Sequence, residues 1–196
     1  MAAPRKDNVE DKILDAAEAL LKEESVDKIS LAAIASAAGV SKGTLYYHYK
    51  TKDDILYDLA NRYLDQQYRE LFLWTENASK DTSFHRLFPY VLKRDVYEPA
   101  VRFHLLTSAA SGYENLRKKL LERYQQFQSA ISGKIAERVA GVDADYLAWA
   151  ALLLSDGIIV QLELGNEQFD FDAFIAQSDA FFQSLRPYFS APASDS

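Results

Sequence analysis

Apolar residues recur along this chain at the three-to-four spacing of helices, and nowhere do they alternate as a half-buried strand would require. From Asn8 onward, Val9, Ile13, Ala16, Ala17, Leu20 and Leu21 share one face, while Glu10, Asp11, Lys12, Glu18 and Lys22 take the other. That predicts an amphipathic first helix. Ser30 then stands where it can cap a short second helix, whose Leu31, Ile34, Ala35 and Ala38 fall on one side. Gly39 follows at the helix end, where a left-handed backbone is cheap for glycine. Val40 is expected to pack into the corner, and Ser41 to cap a third helix running from Lys42 to Tyr49 with Leu45 pointing inward. Two short helices and a tight turn, with Ala35, Gly39 and Leu45 as small contact, turn and apolar plug, form the pattern of a helix-turn-helix.

Beyond it the spacing predicts only further helices. A long one starts at Thr51, where Thr51 and Asp54 have capping-box spacing, and carries Ile55, Leu59, Tyr63, Tyr68, Leu71 and Phe72 to about Asn77. After a polar break at 77–81, helices are expected from roughly Thr82 to Asp95 and from Glu98 to Ala110, with Pro89 bending the first and Pro99 suiting the first turn of the second. Ser111-Gly112 turns the chain into a helix from Tyr113 to Val139, and Gly141 to Asp143 stops that helix and caps the next. The last two helices, about Asp143 to Leu164 and Asp170 to Tyr188, are unusually apolar. Trp149, Leu152, Leu153, Ile159 and Val160 on one, with Phe174, Phe181, Phe182, Leu185 and Phe189 on the other, offer more apolar surface than one small body buries alone, which predicts a homodimer. Gly157, without a side chain in mid-helix, fits a close helix approach. The arm up to Asp7, with Arg5 and Lys6 as candidate DNA-backbone contacts, and the tail from Pro192 to Ser196 complete the chain.

Charge sharpens the first reading. The 196 residues carry a formal charge of -7, yet no carboxylate occurs from Lys28 to Lys52, a window holding four lysines. After Arg138 there is one cation, Arg186, against nine carboxylates. A basic end and an acidic end predict a nucleic-acid surface confined to the former. Within the window, Lys42, Gly43, Thr44, Tyr46, Tyr47 and His48 supply a cation, a close backbone approach, a hydroxyl with a methyl, two phenols and an imidazole, which are groups that read phosphates and base edges. Ser30 and Ser41 at the caps, and Lys52 at the start of the long helix, extend the candidate DNA surface; Lys52 and His48 are expected to favour phosphates.

Other chemistry finds little footing. There is no cysteine, and His48, His85 and His104 fall on separate helices without ligand spacing, so no metal site, cofactor or catalytic set is expected. The N-terminus lacks the apolar stretch of a signal peptide, and Asp156, Gln161 and Glu163 interrupt the longest apolar run, Tyr146 to Gly165. A cytoplasmic protein without a membrane partner is the expectation.

The stretch IASAAGVSKGTLYYHYKTKDDIL resembles the helix-turn-helix signature of the TetR family of bacterial repressors. The resemblance covers the first quarter to third of the chain. It implies an all-α protein with a three-helix DNA-binding head, here 1–52, and a larger helical ligand-binding and dimerisation body, 53–196. It further implies a dimer formed through the last two long helices, a two-fold symmetric DNA operator, and a small molecule held in the body that alters the spacing of the two heads. Phe72, Phe103, His104, Tyr124, Phe127 and Gln161 are the candidate lining residues on the aromatic-rich helices, with Arg102 as a further polar partner. The function implied is a DNA-binding transcriptional repressor, not an enzyme, released by a mostly apolar or aromatic ligand. The alternative is a helical DNA-binding or adaptor dimer without an effector.

Overall fold

The computed structural model describes residues 9–94 and 99–188; Arg5, Lys6, Phe189 and the 192–196 tail lie outside them. Among the described residues there are nine α-helices and no strand. They are α1 (Val9–Glu23), α2 (Leu31–Ala37), α3 (Lys42–His48), α4 (Lys52–Thr75), α5 (Phe84–Arg94), α6 (Pro99–Ala110), α7 (Glu114–Ala136), α8 (Ala144–Glu163) and α9 (Phe171–Ser184), followed by a 3₁₀ turn, Arg186–Tyr188. By packing, the chain forms two compact units, and both α4 and α7 pass from one to the other, at 63/64 and at 120/121.

The first unit runs to Tyr63 and takes in Ala100–Leu120. Its core gathers Ile13, Ala17 and Leu21 of α1, Ile34 and Ala35 of α2, Leu45 of α3, and Ile55 and Leu59 of α4, all buried. Leu14, on the flank of the expected face of α1, is buried as well. Gly39 takes the left-handed conformation at φ 66°, closing the corner between α2 and α3. The capping box at α4 forms in both directions: the Thr51 N–H donates to Asp54 Oδ2 at 2.9 Å and the Asp54 N–H to Thr51 Oγ1 at 3.2 Å. Arg62 of α4 reaches Asp15 and Glu18 of α1 at 2.5 and 2.6 Å.

The second unit comprises Leu64–Pro99 and the chain from Leu121 onward. Leu71, Leu87, Phe88, Val91, Phe127, Ile131, Ile135, Ala151, Leu152, Ile158 and Phe182 make its core, with α5 packed on α8 and α9. The helix runs through Pro89. α7 stops at Ala136, short of Val139, because Arg138 turns inward and donates to the carbonyls of Lys134, Thr75 and Thr82 at 2.8, 3.0 and 2.5 Å, closing the C-terminal ends of α7 and α4 together. α9 likewise ends at Ser184, three residues before Pro187, leaving a 3₁₀ turn in place of the expected last turn.

The two faces of α8 separate in a way the composition did not. Leu152 and Ile159, expected at a subunit interface, are buried in the chain's own core together with Ala148 and Ser155, and Phe182 of α9 joins them. These α8 residues lie on one stripe at helical spacing. The opposite stripe stays open: Tyr146, Trp149, Leu153 and Leu164 are exposed, Leu153 by 64% and Leu164 by 70%, with Phe181 exposed on α9. Helix α8 is long and apolar enough to cross a membrane by length and composition, and its two apolar faces account for that composition.

Candidate nucleic-acid interface

The hydroxyl of Ser30 accepts from the Ala33 N–H at 3.1 Å, and that of Ser41 from the Thr44 N–H at 3.0 Å, so each short helix starts on a side-chain cap. Ser41 Oγ and Thr44 Oγ1 also share a hydrogen bond at 2.8 Å. Leu45 and, one turn on, Tyr49 point into the core; the Tyr49 N–H bonds the Leu45 carbonyl at 2.8 Å and ends α3. Tyr49 thus shares with Leu45 the inward role that the sequence assigned to Leu45. Lys42, Gly43, Tyr46 and Tyr47 are left on the outer surface, Tyr46 exposed by 48% and Tyr47 by 80%.

Gly43 is informative because nothing inside the protein requires it. A Cβ built there would meet only Ser41 Oγ, at an ordinary 3.7 Å. His48 is turned toward α1, with Nδ1 3.1 Å from Glu10 Oε1 and its ring edge-on to Tyr47 at 5.1 Å. Lys52 is half-buried, and its ammonium donates to the carbonyls of Val26 and Ile29. The candidate DNA residues therefore sort into an outer group (Lys42, Gly43, Tyr46, Tyr47), a group whose polar atoms hold the head together (Ser30, Ser41, His48, Lys52), and Thr44, half-buried between them with its hydroxyl bonded to Ser41.

The residues suggested for a ligand do not fall in one unit. Phe103 and His104, with ring centroids 6.3 Å apart, lie on α6 in the first. In the second, Tyr68 stands between Phe72 at 4.9 Å and buried Phe127 at 5.7 Å, and the Lys134 ammonium lies 5.4 Å from the Phe72 ring. Tyr124 donates its phenol to Asp156 of α8, one of the polar residues that interrupt the apolar run of that helix. Gln161 accepts from Asn166 Nδ2 at 2.7 Å. A groove of about 940 Å³ runs between α4, α5 and α9 past the stacked rings of Trp74 and Tyr90, and none of the six suggested residues lines it.

Residues 13–59 match the family described as "Bacterial regulatory proteins, tetR family". Over its length the chain is 29% identical to the HTH-type transcriptional regulator YwcC of Bacillus subtilis across 192 residues, covering 86% of this chain and 82% of that one. It is 26% identical across 131 residues to IcaR of Staphylococcus epidermidis, the negative transcriptional regulator of the biofilm operon icaADBC, covering 65% and 67% of the two chains. Its fold is similar to that of a transcriptional regulator from Saccharomonospora viridis crystallised with choline, with a TM-score of 0.77 at 19% identity over 91% of this chain and 97% of that one. The short α2 and α3 around Gly39, the acid-free outer surface of α3 and the all-helical body agree with these likenesses. Residues 13–59 thus carry a DNA-binding region of the kind described for the tetR family of bacterial regulatory proteins, and the helical fold around it is similar to that of other transcriptional regulators.

Proposed function

We propose that this protein is a cytoplasmic homodimeric repressor that binds a two-fold symmetric operator and is released from it by a mostly apolar or aromatic small molecule. The observation that carries the reading is the outer surface of α3, where Lys42, Gly43, Tyr46 and Tyr47 stand exposed in a stretch without a carboxylate. In this reading 1–52 is the DNA-binding head and 53–196 the ligand-binding and dimerisation body. Lys42 meets phosphates, Thr44, Tyr46 and Tyr47 meet base edges or sugars, and Ser30, Ser41, His48 and Lys52 serve the same surface from behind.

The dimer places two heads on successive major grooves, about 34–36 Å apart, so a few ångströms of change in that span defeats binding by both. The exposed stripe on α8 supports the pairing. Repression is supported by IcaR, a negative regulator, and an effector by the choline held in the similar fold from Saccharomonospora viridis. Of the candidate lining residues, Phe72, Tyr124, Phe127 and Gln161 lie together in the second unit and are proposed to serve the effector site. Selection of DNA from a random-sequence library tests the core of the reading: enrichment of a palindromic site by the wild type, and its loss in Tyr46→Ala/Tyr47→Ala, is expected. No enriched sequence overturns it.

A further inference from the structure

Lys52 is the first residue of α4, and its side chain crosses back to the connection between α1 and α2. Its ammonium donates to the Val26 carbonyl at 2.6 Å and to the Ile29 carbonyl at 3.0 Å. These carbonyls belong to a compact turn in which the Lys28 N–H bonds Ser25 O and the Ile29 N–H bonds Val26 O, immediately before Ser30 caps α2. Val26 and Ile29 are themselves buried, so the turn is fixed by packing as well as by the cation. Hydrogen bonds to a charged donor are the stronger kind, and two of the three N–H bonds of the ammonium are committed here. Reaching a phosphate with the whole ammonium would mean giving up both.

We infer that Lys52 is a positioning residue of the DNA-binding head, fixing the start of α2 against the start of α4, and through α2 the pose of α3, instead of neutralising a phosphate. The link from α2 to α3 is short: the Val40 N–H bonds the Ala35 carbonyl across the corner that Gly39 makes possible. The same turn is engaged from a second side. Asp27, one residue after Val26, faces the phenol of Tyr113 at the turn between α6 and α7, and Asp53 lies near the same phenol. Farther along α7, the Lys119 ammonium sits 5.6 Å from the ring of Tyr57 on α4. The α1–α2 turn is therefore gripped by α4 and by the α6–α7 turn, neither of which belongs to the helix-turn-helix, and a shift in either is delivered to α2. This deepens the DNA-binding reading proposed above and rests on it.

Two measurements on full-length protein decide the matter, using wild type, Lys52→Met and Lys52→Arg. The first is affinity for the selected operator and for unrelated duplex as a function of salt. The second is amide hydrogen exchange without DNA, read at Ala33 and Ile34 in the first turn of α2. For Lys52→Met the expected result is an operator affinity lower by roughly tenfold, little change on unrelated DNA, an unchanged log–log salt slope, and faster exchange at Ala33 and Ile34. A phosphate ligand would act otherwise: loss on both DNAs alike and a slope flatter by about 0.9. That slope change, or unaltered exchange in α2, overturns the inference. Should the Met variant not fold, Lys52→Arg decides, since it keeps the charge but changes the head that sits on the carbonyls; full wild-type operator affinity with it counts against positioning. If the wild type selects no DNA at all, the repressor reading fails, and the exchange arm still judges the contact by itself.

Discussion

Tyr49 donates its phenol hydrogen to Asp58 Oδ2 at 3.2 Å, tying the residue that ends α3 to the second turn of α4. Burial first, then the Asp58 carboxylate beside it, push the phenol well above its ordinary value of 10.0, with Glu10 adding to the rise and Arg62 opposing it. A group whose folded value is raised keeps its proton in the folded protein after the unfolded chain has released it. Its contribution is therefore whole below about pH 10 and is lost as pH climbs beyond. Tyr113, raised by burial and by Asp27 and Asp53, acts in the same direction. The melting temperature is expected to fall as pH climbs above about 10, and Tyr49→Phe to flatten that fall while costing about 1 kcal/mol at neutral pH through the lost hydrogen bond. Parallel curves for variant and wild type would show that Tyr49 is not the group responsible.

Gly43 gives a sharper test of the reading surface than removing a contact does. It occupies the first turn of α3, where an added Cβ would make one ordinary contact, with Ser41 Oγ at 3.7 Å. Alanine there is expected to leave the fold intact or stabilise it by up to about 1 kcal/mol. If the glycine is present so that DNA backbone can approach, Gly43→Ala raises or preserves the melting temperature and weakens operator binding. Thr44→Ala costs about 1–3 kcal/mol at preferred sites by comparison, and little elsewhere. An operator affinity untouched by Gly43→Ala removes the close approach.

The head was legible in the sequence because its determinants are local: a cap, a four-residue spacing, one glycine at a corner. Ser30, Ser41, Gly39 and the Thr51/Asp54 pair all act within a few residues of themselves, and the structure places each where its local chemistry puts it. What escaped is long-range. Lys52 reads as a free cation at a helix start until the carbonyls of Val26 and Ile29, 26 and 23 residues away, are seen to claim it. Asp156 reads as an interruption until Tyr124 finds it across 32 residues. The two apolar stripes of α8 could not be told apart by composition, since Leu152 and Leu153 are chemically the same and only their partners differ.

That division of α8 defines the test of the dimer. Trp149 and Leu153 are exposed on the stripe that also carries Gly157, where a Cβ would meet nothing within 4 Å. In the dimer proposed above, a mid-helix glycine that costs up to about 1 kcal/mol leaves room for a second chain to approach this stripe. Gly157→Leu or Leu153→Glu is expected to yield monomers in sedimentation, with helix content retained and operator binding lost. Leu152→Ala, on the buried stripe, is expected instead to cost about 2–5 kcal/mol of stability. A wild type that sediments as a monomer sinks the dimer outright.

The effector prediction turns on the choice of variant. Phe127 is core, so Phe127→Ala is expected to lose about 3–5 kcal/mol whether or not a ligand binds nearby, and it tests nothing about ligands. Tyr124 is half-buried, and Tyr124→Phe removes one hydroxyl while leaving the ring. A mostly apolar or aromatic molecule present at a hundred times its dissociation constant adds about 2.7 kcal/mol to the protein it binds, which a melting screen resolves. To empty an operator from 99:1 bound to 1:99, the same molecule must favour the released form by about 5.5 kcal/mol. Hits from the screen are therefore expected to weaken operator binding in a titration, and Tyr124→Phe to reduce their affinity by several-fold without altering operator affinity in their absence. Molecules that bind tightly yet leave the operator complex unchanged, or tighten it, would separate the pocket from regulation and defeat release as the mechanism.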